Sequence, residues 1–163
     1  MQENENGFPK KKSTKIYTVA QALLKGEAYC AYQERHQQEV RDKLYEWGLH
    51  KKDVEAVISE LITNNFLNEE RFAKAYAGGK FRIKKWGRVK IRIELQKRKL
   101  SEYCIKKGLQ EFSEKEYLQT IRKLIAEKNK TVKEKNPLKQ KYKVAQYLIS
   151  RGFEGEVVWG LVD

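Results

Sequence analysis

Apolar positions along this chain recur in a pattern that repeats three times. The segments EVRDKLYEWGLHKKDVEAVI from Glu39, VKIRIELQKRKLSEYCIKKGL from Val89 and KYKVAQYLISRGFEGEVVWGLV from Lys141 can be overlaid. Val40, Leu44, Leu49, Val54 and Ile58 then align with Ile91, Leu95, Leu100, Ile105 and Leu109, at an offset of 51 residues. A further offset of 53 residues brings in Val144, Leu148, Phe153, Val158 and Val162. Each copy has two apolar residues four apart, a short polar interruption, and apolar residues about four apart again. That spacing predicts helix, tight turn, helix. Gly48 and Gly152 fall at the turn, where a left-handed residue ends a helix without steric cost. Lys99 holds that place in the middle copy, which predicts either a different turn or backbone strain.

The middle copy carries a competing signal. Val89, Ile91, Ile93 and Leu95 alternate with Lys90, Arg92 and Glu94, which in isolation argues a half-buried strand. The other two copies lack the alternation, so the repeat predicts a helix here as well. Ile91 and Leu95 would face inward, leaving Val89 and Ile93 on the opposite side, available to a neighbouring unit.

A further helix is predicted ahead of each pair. Ile16, Ala20, Leu23 and Leu24 form a stripe, with Ser13 or Thr14 as N-cap, on a helix running through EAYCAYQER. In LNEERFAKAYAGG, Asn68 is the expected N-cap and Gly78-Gly79 the expected stop. In SEKEYLQTIRKLIAEK, Ser113 and Glu116 have capping-box spacing ahead of Tyr117, Ile121, Leu124 and Ile125. The stretch NKTVKEKNPLKQK either continues that helix or forms a mobile loop. The expected fold is all-α: nine helices in three tandem three-helix repeats, elongated and curved. Its expected divisions are a flexible tail over 1–13 and repeats over 14–66, 67–112 and 113–163.

Composition adds limits. The 163 residues are 40% hydrophobic and 35% charged, enough for a core. No run approaches the ~20 apolar residues of a membrane span, and MQENENGFPKKKSTK has no apolar run of a secretory signal. Cys30 and Cys104 stand in no metal or disulfide pattern. A cytoplasmic monomer is expected.

Charge sharpens the functional reading. The net charge is +13, and Gly78 to Leu109 alone holds 12 basic against 2 acidic side chains. A local excess of that size favours a polyanionic partner, either nucleic acid or an acidic protein surface. Lys80, Arg82, Lys84, Lys85, Trp86, Arg88, Lys90, Arg92, Lys97 and Arg98 are the candidate contacts. Phe81 and Trp86 interleave with the cations. They can stack on bases or anchor the loop to the core, and the sequence supports both. On a helix the cations wrap the surface, with Glu94 able to pair locally. Trp47 and Trp159 lie beside apolar repeat positions, where core packing is expected. His36 and His50 belong to no metal or nucleophile motif, and no Walker loop, nucleophile elbow or paired-Asp pattern occurs. No catalytic residue, metal or cofactor is expected.

Residues NNFLNEERFAKAYAGGKFRIKKWGRVKIRIELQKRKL resemble the central signature of the RecX family, regulators of the RecA recombinase. The likeness rests on Phe66-Leu67-Asn68-Glu69-Glu70-Arg71-Phe72-Ala73, the Gly87-Arg88 turn, Ile91 and Glu94-Leu95. YLISRGFEGEVV is similar to the family's last repeat, through Arg151-Gly152-Phe153. The resemblance runs from about Gln38 to the end. Asn68-Glu69 stands where many relatives have an acidic pair, His36 stands where Ser is usual, and the linker around Pro137 is unusually rich in lysine. The resemblance implies three-helix repeats and a non-enzymatic modulator that binds in the groove of RecA–DNA filaments. Such a protein would limit filament growth and reduce ATPase and coprotease activity, with single- or double-stranded DNA as a further contact. The alternative is a stand-alone basic helical DNA-binding module with no recombinase partner.

Overall fold

The computed structural model describes residues 16–162. Among them are nine helices and no strand: α1 (Val19–Tyr32), α2 (Gln37–Glu46), α3 (Lys51–Thr63), α4 (Glu69–Arg82), α5 (Arg88–Lys97), α6 (Glu102–Leu109), α7 (Glu114–Thr131), α8 (Pro137–Ser150) and α9 (Gly155–Trp159). The chain divides between Leu67 and Asn68 into two compact units, the first holding α1–α3 and the second α4–α9. The second and third repeats thus form one body with one continuous core.

Residues 89–95 are helical, as the repeat predicts against their period-two pattern. Ile91 and Leu95 are fully buried, and Val89 and Ile93 are exposed on the other side. The aligned apolar positions are all buried in the three copies except Leu109, which is half-buried. The three turns have one geometry. Gly48, Lys99 and Gly152 adopt φ of 90°, 60° and 93°. Leu49, Leu100 and Phe153 each donate an amide hydrogen bond five residues back, to Leu44, Leu95 and Leu148. This is the Schellman arrangement, sealed by the apolar contact that accompanies it. Lys99 keeps the turn and bears the left-handed strain that the glycines avoid.

Several boundaries differ from expectation. The tail and the Ser13 or Thr14 cap lie outside the described residues. The cap of α1 is Thr18: its hydroxyl accepts from the Gln21 amide, and the Gln21 side chain accepts from the Thr18 amide. Ile16 therefore precedes the helix, and α1 ends at Tyr32, short of the predicted run. The glycine pair does not stop α4, which continues to Arg82. Phe81, one turn on, is only 1% exposed, and burying a Phe stabilises by roughly 1.5–3 kcal/mol. That offsets the roughly 2 kcal/mol helical cost of the two glycines. Asn68 and Ser113 cap α4 and α7 as expected. The lysine-rich stretch divides: α7 ends at Thr131, and α8 starts at Pro137 with the Asn136 side chain accepting from the Leu138 and Lys139 amides. Trp47 packs on the first core between Tyr17 and Tyr29. Trp159 does not join a core; it is 41% exposed beside Tyr142, because α9 turns its Val158 face inward instead.

The second unit is joined by a backbone contact. At the start of α5, the Gly87 amide donates to the Arg151 carbonyl at 2.9 Å, and the Val89 amide donates to Gly152 at 3.0 Å. A Cβ on Gly87 would fall inside the Gly152 carbonyl, and one on Gly152 would collide with Lys90. Both glycines are required by closeness, and Gly152 by its φ as well. Beneath the contact, Phe81, Phe112, Tyr117 and Phe153 form a line of rings with centroids 4.1, 5.7 and 5.5 Å apart in succession. The first unit uses a related device within itself. The Tyr17 amide donates to the Trp47 carbonyl at 3.1 Å, and Ile16 lies against Gly48. Ile16–Tyr17 thus occupies on the Gly48 turn the place that Gly87–Val89 occupies on the Gly152 turn.

Gly87→Ala is expected to destabilise the second unit by about 1–3 kcal/mol, the usual cost of overpacking. Gly79→Ala, where a Cβ meets nothing within 4 Å, is expected to stabilise by about 0.5–1 kcal/mol. Urea denaturation followed by circular dichroism reads both shifts.

Candidate nucleic-acid and protein interface

Nine of the ten candidate residues lie on α4, α5 or the turn between them, and Arg98 is the C-cap of α5. Eight have a partner inside the second unit. Arg82 forms an ion pair with Glu116 at 2.9 Å and also donates to the Glu111 carbonyl. Those hydrogen bonds hold the Glu116 carboxyl below the usual carboxylate range. Arg88 pairs with Glu114, approaches Glu154 at 3.7 Å, and lies 3.8 Å over the Tyr117 ring. Arg92 pairs with Glu102. Lys97 and Arg98 both bond Glu94, whose carboxyl they hold below its usual range. Arg98 also lies over the Tyr76 ring at 4.7 Å. Lys80 and Lys90 face the Trp86 ring at 4.9 and 4.3 Å. Lys84 and Lys85 form no ion pair among the described residues, and Lys84 is exposed.

The interleaved aromatics separate. Phe81 belongs to the core and is closed to any ligand. Trp86 is half-buried, packed on the core and held between two ammonium groups. Cation–π contacts at such sites contribute about 0.5–1 kcal/mol each, so part of the basic surface also supports the turn. The turn itself is unusual: Lys85 adopts φ of 56°. The Trp86 amide then reaches back to the Lys80 carbonyl, and this presents Lys84 and Lys85 at the tip.

Sequence reasoning gave no site role to Tyr117, Glu154, Glu114 or Glu102. Tyr117 reads as one more residue of an apolar stripe. In the structure its hydroxyl donates to Glu154 at 2.5 Å and accepts from the Arg88 amide at 3.1 Å. It is a polar pin between the second and third repeats. Burial, followed by the hydrogen bond to Glu154, raises its pKa well above the ordinary phenol value. Glu102 and Glu114 face arginines 10 and 26 residues away, and Glu154 faces Arg88 from a later repeat, separations that carry no local signal.

Family models for the second and third three-helix domains of RecX match residues 68–109 and 114–162, together more than half of the chain. The chain belongs to the RecX family. It is 26% identical over 140 residues to the regulatory protein RecX of Bacillus cereus strain B4264, and 28% identical over 140 residues to that of Bacillus cytotoxicus. Each alignment covers 86% of this chain and 52% of the relative, so the chain spans about half the length of the curated relatives it matches. In fold it resembles the crystal structure of RecX from Lactobacillus salivarius, with a TM-score of 0.82, 19% identity, and coverage of 88% of this chain and 94% of that one. A second regulatory protein RecX gives a TM-score of 0.73 at 22% identity, covering 85% and 70%. Among the described residues of this RecX-family chain, no helix is long and apolar enough to cross a membrane.

Tyr117→Phe is expected to cost about 1–3 kcal/mol, because the Arg88 amide and Glu154 each lose a buried partner. The variant also carries a pH signature. Tyr117 keeps its proton in the folded state beyond pH 10, whereas the unfolded tyrosine ionises near 10.0. Unfolding therefore releases a proton, and this contribution to stability is present below pH 10 and lost as pH rises above it. Urea midpoints between pH 8 and pH 11 should fall more steeply for the wild type than for Tyr117→Phe. Equal slopes would mean the phenol is not held in this way.

Proposed function

We propose that this protein is a non-enzymatic regulator, mainly an inhibitor, of a RecA-type recombinase. It binds in the groove of recombinase–DNA filaments and limits filament growth, and with it ATPase and coprotease activity. Membership of the RecX family supports this reading, as does the name regulatory protein that the curated relatives carry. The observation that carries it is the placement of 12 basic against 2 acidic residues on Gly78–Leu109, within the stretch that matches the second RecX domain. The α4–α5 turn leads the contact, because Lys84 and Lys85 are offered there without ion pairs. Arg82, Arg88, Arg92 and Arg98 contribute through groups already oriented by the fold. The competing reading, a basic DNA-binding module without a recombinase, draws on the same cations and on Trp86.

Recombinase-dependent strand exchange tests this contact with a folded variant. Lys84→Glu combined with Lys85→Glu should retain the helical circular dichroism and need about tenfold more protein for half inhibition. Unchanged potency would remove the α4–α5 turn from the interface.

A further inference from the structure

A cavity of about 380 Å³ opens between α5, α6 and the start of α7, lined by Arg88, Arg92, Lys106, Gln110 and Glu114 among others. Three cations converge on it. The two guanidinium groups are occupied by Glu114 and Glu102, each the first residue of its helix, α7 and α6. Both carboxylates are more exposed than the arginines they meet, with side chains 62% and 66% exposed against 28% and 38%. The arginines therefore form the fixed side of each pair and the glutamates the loose side. Arg88 is fixed further by the Tyr117 ring, by Glu154 and by the backbone contact at Gly87. Lys106 is exposed at the rim and has no acidic partner among the described residues. An anion that displaced both carboxylates would find two preset guanidinium forks and an ammonium.

We infer that this cavity is a phosphodiester-binding subsite for the nucleic-acid backbone, held closed by Glu102 and Glu114 as internal competing anions. The inference rests on the filament-binding reading for its context and deepens it by naming the residues that meet phosphate. The two glutamates set the threshold for binding: a single phosphate must replace a local carboxylate, whereas a continuous strand replaces both together. Isolated phosphate should therefore bind weakly and a polymer well.

Fluorescence anisotropy with a labelled 20-nucleotide oligo-dT, and no recombinase present, tests this. Glu102→Gln with Glu114→Gln should bind about three- to tenfold tighter than wild type, and the dependence of log K on log salt should steepen by about 0.7 for each phosphate gained. Glu127→Gln with Glu156→Gln changes the net charge equally at exposed positions away from the cavity and should gain much less. In an Arg92→Gln background the Glu102→Gln gain should disappear, since the pair is coupled. Glu102→Gln alone serves if the double variant folds poorly. Equal gains from both pairs of substitutions would overturn the subsite, because general steering would then explain them. A gain in recombinase inhibition without any gain in oligonucleotide affinity would also overturn it, assigning the cavity to protein carboxylates while leaving the regulatory reading intact. Loss of recombinase inhibition with the expected oligonucleotide result would count against that reading and not against the subsite.

Discussion

The second unit depends on one close contact, the start of α5 lying on the Gly152 turn with no side chain between. Two amide hydrogen bonds, at 2.9 and 3.0 Å, fix α5 in position along that turn. The Tyr117 hydroxyl then closes the junction from below. The basic helix cannot rotate or slide without breaking backbone bonds and opening the aromatic core. Two small repeats become one body with one core, and the cations on α5 inherit its rigidity. A charged surface built on such a support is preorganised, so little ordering cost falls on binding.

That rigidity changes the meaning of the charge. Twelve basic residues in 32 suggest a uniformly cationic patch, but the fold sorts them into classes. Exposed Lys84 and half-buried Lys85 stand at the α4–α5 tip without ion pairs among the described residues. Lys80, Lys90 and Arg98 spread over aromatic faces and contribute to packing. Arg82, Arg88 and Arg92 meet glutamates from α6 and α7. Exposed ion pairs of this kind contribute only about 0–1 kcal/mol, so they can exchange partners at small cost. The field seen from a distance remains positive and suits steering, whereas the short-range contacts are exchanges of one anion for another.

The fold was legible in the sequence because burial repeats. Val40, Ile91 and Val144 mark the same inner position in three copies, and comparison among them decided helix over strand where Val89–Leu95 alone argued otherwise. Gly48 and Gly152 marked their turns for a local reason, the sign of φ. The glycine pair at 78–79 misled because a core anchor at Phe81 lies just beyond it and keeps the helix going. In the site, the basic residues were visible as composition, but their partners were not. Glu114 and Glu102 are ordinary first-turn acids until α5 is laid against them, and Tyr117 looks apolar until its hydroxyl meets Glu154. Contacts set by tertiary closure leave no periodic trace in one sequence.

The proposed regulatory role is tested most directly by the ATPase rate of the cognate recombinase on single-stranded DNA as this protein is titrated in, with DNA in excess. Inhibition at amounts well below one protein per recombinase subunit is expected, since a few molecules lodged in or capping a filament act on many subunits. No effect until the protein is sufficient to coat the DNA would contradict a filament-directed regulator and leave a basic helical DNA-binding protein.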